Sequence, residues 1–308
     1  MGSFWEKLNL ADNPYDPKPL GITKEDKNLF VGRNKELNQL ETITSGSSEG
    51  ICIVEGEVGV GKTSFVNIFQ YDRFDKEKFL PSYESIELTD NIDPVNFLLS
   101  VLSNMISNLE QVIESKQLVR YQEFKNAKAF VDSTIESGWG INFQVLGTGG
   151  GVSRNKTLTQ PPAVVLQTIK KKIDEWIKFV IEKIGIRSVI ITIDNFDIIS
   201  EQSIVNFLNS MRDTLISRNN IWWIIIGQKG LTSILEKQIP RVSAMITGKS
   251  IVLEPLTVDE INTMINVRYK NLKTSKKDVD IILPEEIIKI LYDVSKGDTR
   301  YILKKVTD

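Results

Sequence analysis

Eight consecutive residues carry the clearest chemistry in this chain: Gly56-Glu57-Val58-Gly59-Val60-Gly61-Lys62-Thr63. They read G-x-x-x-x-G-K-[ST], the spacing of a phosphate-binding P-loop. Its glycines let the backbone turn tightly and aim several N–H groups at one point. The start of a following helix adds positive potential there. Lys62 would reach the terminal phosphates, and the Thr63 hydroxyl would ligate Mg2+. Far downstream, Val189-Ile190-Ile191-Thr192-Ile193 is an apolar run ending in Asp194. A carboxylate at the end of such a strand would hold the same Mg2+, directly or through water. Asn195 follows it, and an amide can orient a water but cannot take its proton. Asp197 could act as the base, or could only form the turn and cap the next helix.

These side chains need elements to hold them. Ile51-Cys52-Ile53-Val54 is short and largely β-branched, as a buried strand should be, and Thr63 to Gln70 reads as a helix start. Further strands are expected over Tyr83–Leu88, Arg187–Ile193, Ile221–Ile226 and Ile251–Leu253. Helical spacing of apolar residues falls between them. Leu37, Leu40 and Ile43 share one face, as do Leu98, Leu102, Met105, Leu109 and Val112. Asp93-Pro94 is a fitting start for the second of these helices, because Asp caps and Pro suits the first turn. A weaker helix is expected from Gln117 to Val131, a strong one after Pro161-Pro162, and another over residues 201–218. Beyond Thr257 the pattern is helical only, over Val258–Tyr269, Pro284–Ser295 and Thr299–Val306. That change marks a boundary near residue 255. The expected fold is α/β: a five-stranded, doubly wound parallel sheet flanked by helices, then a small all-helical region. The expected divisions are an arm (1–28), a nucleotide-binding domain (29–255) and the helical region (256–308).

Composition narrows the function classes. The chain has 308 residues, 41% hydrophobic and 25% charged, which fits an ordinary globular protein of about two domains. Lys plus Arg is 38 against 40 Asp plus Glu, so no overall basic field attracts nucleic acid. There is no histidine, which removes Ser-His and Cys-His nucleophiles and histidine metal ligands. Cys52 is the one cysteine, so no intrachain disulfide can form and a reducing cytosol is expected. In the P-loop strand it reads as a small buried hydrophobe. No apolar run is long enough to span a membrane, and the N-terminus lacks a signal-peptide layout, so a cytoplasmic protein without membrane contact is expected.

Two segments carry alternative readings. Asn13-Pro14-Tyr15-Asp16-Pro17-Lys18-Pro19 cannot be regular helix, and residues 1–29 read as an extended arm packed by Phe4, Trp5 and Leu8. In the glycine-dense stretch 137–159, Ile141, Phe143 and Val145 alternate with Asn142 and Gln144, with Arg154 and Lys156 near the far end. It is either a hairpin that touches DNA or a partner, or a plain connector. Lys170-Lys171-Lys172 reads better as a solvated helix face than as a nucleic-acid patch.

The order of these motifs resembles that of AAA+ ATPases, most closely the origin-recognition/initiator branch and the related STAND-type ATPases. Phe30-Val31-Gly32-Arg33-Asn34-Lys35-Glu36-Leu37 is similar to the segment that borders the adenine in that family. The resemblance implies nucleotide contacts from Val31, Gly32 and Arg33. It implies others from Gly56, Glu57, Val58, Gly59, Val60, Gly61, Lys62, Thr63 and Ser64. Asp194-Asn195-Phe196-Asp197 resembles the Walker B segment, with Asn195 where glutamate is usual. Ile225-Ile226-Gly227-Gln228 resembles the sensor 1 strand, which would turn Gln228 toward the γ-phosphate. In Pro240-Arg241-Val242-Ser243-Ala244-Met245, alanine follows the serine where an arginine finger is common, and Arg241 precedes it. Lys296-Gly297-Asp298-Thr299-Arg300-Tyr301-Ile302-Leu303 resembles the sensor 2 motif, from which Arg300 would reach the nucleotide. No winged-helix segment is recognisable.

The resemblance makes residues 256–308 a lid and about 90–165 an insertion, and it implies ATP·Mg2+ bound between core and lid. Lys62 would hold the phosphates, Thr63 and Asp194 the metal, and Asn195 or Asp197 the water, with Gln228 and Arg300 sensing the γ-phosphate. Hydrolysis would be slow at most. ATP or ADP would then switch assembly with a second copy, an effector protein, or DNA through 137–159. The alternative is a non-hydrolysing scaffold subunit of a defence, transposition or replication assembly. A P-loop kinase is a third reading, against which Arg300 and the helical C-terminal region argue.

Overall fold

A strand buried on both faces must carry apolar residues at every position, and the long central strands do so. The computed structural model describes residues 4–88, 93–136, 162–194, 196, 200–216, 219–274 and 283–307. Its first helices are α1 (Phe4–Lys7), α2 (Lys24–Leu29) and α3 (Asn34–Ser45). The P-loop unit follows as β1 (Gly50–Gly56) and α4 (Lys62–Glu77), then β2 (Phe79–Leu80) and β3 (Ile86–Glu87). A helical layer comes next: α5 (Pro94–Val112), α6 (Ser115–Leu118), α7 (Gln122–Glu136) and α8 (Pro162–Phe179), the last continued by a π-helical turn at Val180–Ile184. The chain then runs through β4 (Ser188–Asp194), α9 (Glu201–Ile216), β5 (Ile221–Gly227), α10 (Leu231–Gln238), α11 (Pro240–Ser243) and β6 (Ile251–Leu253). It ends in α12 (Val258–Leu272), α13 (Glu285–Ser295) and α14 (Thr299–Thr307).

The strands form one parallel sheet in the order β2-β4-β5-β1-β6, with β3 also paired to β4. Side chains on a strand point alternately to opposite faces. Ile51, Ile53, Val189, Ile191, Ile193, Trp223 and Ile225 therefore pack on one face with α5, α7, α8 and α9. Cys52, Val54, Ile190, Trp222, Ile224 and Ile226 pack on the other, with Leu40 of α3 and Phe65, Val66 and Phe69 of α4. Coverage on both faces is what a wholly parallel sheet requires. Helices α5 and α7, from within the expected insertion, and α8, which begins at its end, are thus continuous with the main core. Phe97 of α5 stacks on Trp223 with ring centroids 6.2 Å apart.

The sheet agrees with the expected parallel architecture, with one refinement. β2 and β3 share one lane beside β4: Phe79 is opposite Ser188 at its start, and Ile86 is opposite Ile193 near its end. Tyr83–Leu88 thus yields only Ile86–Glu87 as strand. The intervening backbone is satisfied by side-chain amides instead: Ser82 N–H donates to Gln70 Oε1 at 2.6 Å and Tyr83 N–H to Asn108 Oδ1 at 3.0 Å. The start of α5 matches the sequence reading, since Asp93 accepts from the N–H groups of Val95 and Asn96.

The arm is not extended throughout. Helix α2 forms because the Thr23 hydroxyl caps it, accepting from Asp26 N–H at 3.1 Å. Nor is Phe4 an anchor, being 63% exposed. The buried anchors are Leu10 and Tyr15, which join Ile261, Ile265, Tyr269, Ile302 and Leu303 in the core of the C-terminal helices, with Trp5 and Leu8 at its edge. Tyr15 and Tyr269 share a hydroxyl–hydroxyl bond of 3.1 Å, and Ala11 N–H donates to Leu272 O at 2.8 Å. At its other end the arm is fixed to α4. Leu20 N–H donates to Ser64 Oγ at 3.0 Å, and Asn67 Nδ2 donates to Leu20 O at 2.8 Å. Residues 10–20 therefore strap the helical lid to the P-loop helix. No described helix is long and apolar enough to cross a membrane.

Candidate nucleotide-binding site

Strand β1 ends at Gly56 and α4 begins at Lys62, so the loop between them projects from the carboxyl edge of the sheet. Gly59 and Gly61 hold φ angles of 79° and 89°, a left-handed conformation that glycine adopts without strain. The Lys62 ammonium donates to Gly56 O at 2.9 Å and Glu57 O at 3.0 Å, curled over the loop it would otherwise reach across. Thr63 Oγ1 donates to Asp194 Oδ2 at 3.1 Å, which joins two residues far apart in sequence. They meet because β4 lies beside β5, which pairs with β1, and both strands end at this edge.

Arg33 fixes the start of α3 against the P-loop and the end of β6. It caps α3 with φ of 65°, and its Nη2 donates to Glu254 O and, at 3.4 Å, to Val60 O. Burial lowers its pKa from the ordinary value, while Glu36, Glu260 and Glu254 act in the opposite direction. A guanidinium stays charged under such a shift. On the far side stands the lid. A Cβ added to Gly59 would lie 1.8 Å from Asp298 Oδ1, so the Asp298 carboxylate rests directly on the P-loop backbone. Asp298 also caps α14, accepting from Tyr301 N–H at 2.9 Å.

Between P-loop, arm and lid lies a cleft of about 460 Å3. Of the residues expected from the sequence, it brings together Val31, Arg33, Val58, Gly59, Gly61, Lys62, Thr63, Ser64, Asp194, Gln228 and Arg300. Gly32, Gly56, Glu57 and Val60 belong to the same loops but do not line it. Asn195 and Asp197 lie outside the described residues, as does the stretch 137–159. Arg241 is exposed on α11 and does not line this chain's own cleft. The sequence reading missed Pro17, Pro19 and Leu20 of the arm, Met264 and Arg268 one turn apart on α12, and Thr299 beside Arg300. The last had a signal, since it lies inside the motif that carries Arg300. The arm residues had none, because the arm is held by partners distant in sequence, from 44 positions away at Leu20 to 254 at Tyr15.

The donor set fits Mg2+. Among the described residues no group of three or more acidic or cysteine side chains could hold a metal on its own. The cleft offers one hydroxyl and one carboxylate at its mouth, and Mg2+ is commonly held by one or two protein oxygens plus phosphates and water.

Gly59 provides a test of this geometry. Gly59→Ala is expected to cost about 1–2 kcal/mol from the left-handed backbone alone, and more from its clash with Asp298. Chemical denaturation reads the cost. In a double-mutant cycle Asp298→Ser, which keeps a capping oxygen, is expected to relieve the clash share of it. Strictly additive effects would mean that the lid does not rest on the loop.

A parallel sheet with a P-loop at its carboxyl edge and a helical region closing over it defines a P-loop NTPase. The chain belongs to the KAP family of P-loop domains: residues 33–254 match that family. Its fold is also that of initiator ATPases, as the order of motifs implied. Cdc6p from Pyrobaculum aerophilum superposes with a TM-score of 0.51 at 13% identity, over 96% of this chain and 64% of that one. The ORC2 protein of Aeropyrum pernix, described as ADPNP–ADP complexes, superposes with a TM-score of 0.50 at 15% identity, over 94% of this chain and 63% of that one. This chain therefore spans less than two thirds of either solved chain. In sequence, an uncharacterized HTH-type transcriptional regulator of Methanocaldococcus jannaschii is 23% identical over 310 residues, which cover 98% of this chain and 68% of that protein.

Proposed function

We propose that this chain binds ATP·Mg2+ in the cleft and uses the bound state as a switch for assembly. The observation that carries this reading is the meeting of the Thr63 hydroxyl and the Asp194 carboxylate beside Lys62, in a cleft roofed by the lid. Lys62 would leave Gly56 O and Glu57 O for the phosphates. Thr63 and Asp194 would hold Mg2+, which neutralises charge on the phosphate oxygens. Gln228 and Arg300 are exposed and both line the cleft, where each would answer to a terminal phosphate. Lid, arm and P-loop are in contact, so a bound triphosphate that moved the lid would be felt by all three.

Hydrolysis, where it occurs, is slow, because Asn195 stands where a glutamate would polarise the water. That residue favours a second reading, a nucleotide-binding scaffold that does not hydrolyse. The assembly partner is a second copy of the chain, an effector protein or DNA. The DNA option draws on the helix-turn-helix description of the Methanocaldococcus jannaschii relative. Light scattering with size-exclusion chromatography, run with ATP·Mg2+, with ADP and without nucleotide, tests the switch, and phosphate release run in parallel tests hydrolysis. The expected result is an ATP-dependent change in mass, alone or with partner, and phosphate release that Asp194→Ala abolishes. Binding without phosphate release or any change in mass would favour the scaffold.

A further inference from the structure

Strand β1 holds one charged side chain, and it is buried. Glu55 is 5% exposed and stands one residue before the P-loop. A buried carboxylate is costly unless its oxygens are hydrogen-bonded, and both oxygens of Glu55 are. Oε2 accepts from the N–H groups of Gly230 at 3.0 Å and Thr232 at 3.3 Å. Oε1 accepts from the hydroxyls of Thr232 at 3.1 Å and Ser250 at 2.8 Å. Neither Glu55 nor these partners line the cleft, but Gln228 does. In the sheet Glu55 lies opposite Gly227, the residue before Gln228. Gln228 O closes a turn by accepting from Leu231 N–H at 3.2 Å. Leu231 sits between Gly230 and Thr232, whose N–H groups both bond Glu55. Strand pairing therefore fixes the chain just before Gln228, and the Glu55 carboxylate fixes it just after.

We infer that Glu55 is a positioning residue: it holds Gln228 at the wall of the cleft and so lets the cleft tell a nucleoside triphosphate from a diphosphate. This rests on the reading above, in which Gln228 answers to the terminal phosphate. Glu55 itself touches no nucleotide. An amide can discriminate by one hydrogen bond, which weakens steeply when donor and acceptor are misaligned. Without Glu55, the N–H groups of Gly230 and Thr232 turn to water and the turn gains freedom. Ordering it again is then a cost of binding, and only a ligand that needs Gln228 in place bears that cost. The shape of the side chain matters here more than its charge. Glutamine in place of Glu55 can accept both N–H groups at its oxygen and donate its two amide hydrogens to the two hydroxyls, each of which can accept.

Calorimetric titration of the whole chain with ATP and with ADP, each with Mg2+, tests this, with urea denaturation of every variant alongside. Gln228→Ala is expected to weaken ATP binding about tenfold and leave ADP binding as it was, the effect of about one hydrogen bond to a charged group. Glu55→Ala is expected to do the same from outside the cleft. Adding Gln228→Ala to it is expected to weaken ATP binding no further. Glu55→Gln is expected to match the wild type. If Glu55→Ala does not fold, Glu55→Asp, one methylene shorter, takes its place. A Glu55→Ala variant that loses stability but keeps the wild-type ATP:ADP ratio would make Glu55 a structural cap alone and overturn the inference. Equal losses for ATP and ADP, additive losses in the double variant, or a Glu55→Gln variant as weak for ATP as Glu55→Ala would also overturn it. A wild-type ratio in Gln228→Ala removes the residue that Glu55 is inferred to position, and overturns the inference while nucleotide binding stands. If the wild type binds neither ATP nor ADP, the nucleotide reading fails and takes this one with it.

Discussion

Lys62→Ala is expected to weaken binding of ATP·Mg2+ by about 10- to 100-fold, the range of one charge-assisted hydrogen bond to phosphate. The side chain is 9% exposed and held by two carbonyls of its own loop, a satisfied position that costs little to leave once phosphate offers a charged acceptor. Folding stability should fall by about 1–3 kcal/mol at most, because the bond to Gly56 O is buried whereas Glu57 is exposed to water. Titration of ATP into the variant, with thermal unfolding alongside, separates the two effects. An unchanged affinity with an intact fold would place the phosphates elsewhere.

Arg73→Met has the opposite profile: a loss of about 1.5–3 kcal/mol of stability, the range for losing hydrogen bonds to a charged group whose other partner, Arg187, remains, with nucleotide affinity retained. Arg73 is fully buried on α4. Both terminal nitrogens bond the Glu77 carboxylate, Nη2 also donates to Thr44 O at 3.3 Å, and the guanidinium lies 4.4 Å over the Phe79 ring. Arg187 bonds the same carboxylate and lies 5.4 Å from the same ring. Burial lowers the pKa of Arg73 while Glu77 opposes the shift. This cluster joins α3, α4, β2 and β4 at the amino edge of the sheet, opposite the cleft. Arg73→Lys keeps the charge but loses the fork and the stack, so it should fall between wild type and Arg73→Met. Urea denaturation measures all three. A Met variant as stable as wild type would show the ion pair to be dispensable.

The two substitutions also show where the sequence was informative. Lys62 was legible because everything that defines the P-loop is local: strand, loop and helix follow one another without interruption. The long strands were legible because Ile190 and Ile191, or Trp222 and Trp223, send apolar side chains to opposite faces, which only a doubly covered sheet explains. The meeting of Thr63 and Asp194 was expected from their two motifs, and the strand order brings it about. Arg73, by contrast, reads as a charged residue on an amphipathic helix, and its burial depends on Phe79 and Arg187 arriving from other elements. Phe79–Leu80 is too short to carry a periodic signal. The arm misled for the same reason. Its proline run excludes helix locally, but the bond between Tyr15 and Tyr269 spans nearly the whole chain and no local pattern announces it. Arg268 likewise reads as one more polar position on α12 until the arm is laid across it.

The most direct test of the central claim is a titration of ATP into the wild-type chain at fixed ionic strength, once with Mg2+ and once with EDTA. The account predicts one saturable site per chain, weakened at least about tenfold when the metal is withdrawn, because Thr63 and Asp194 then lose the cation that joins them to the phosphates. Absence of saturable binding in both conditions would contradict it.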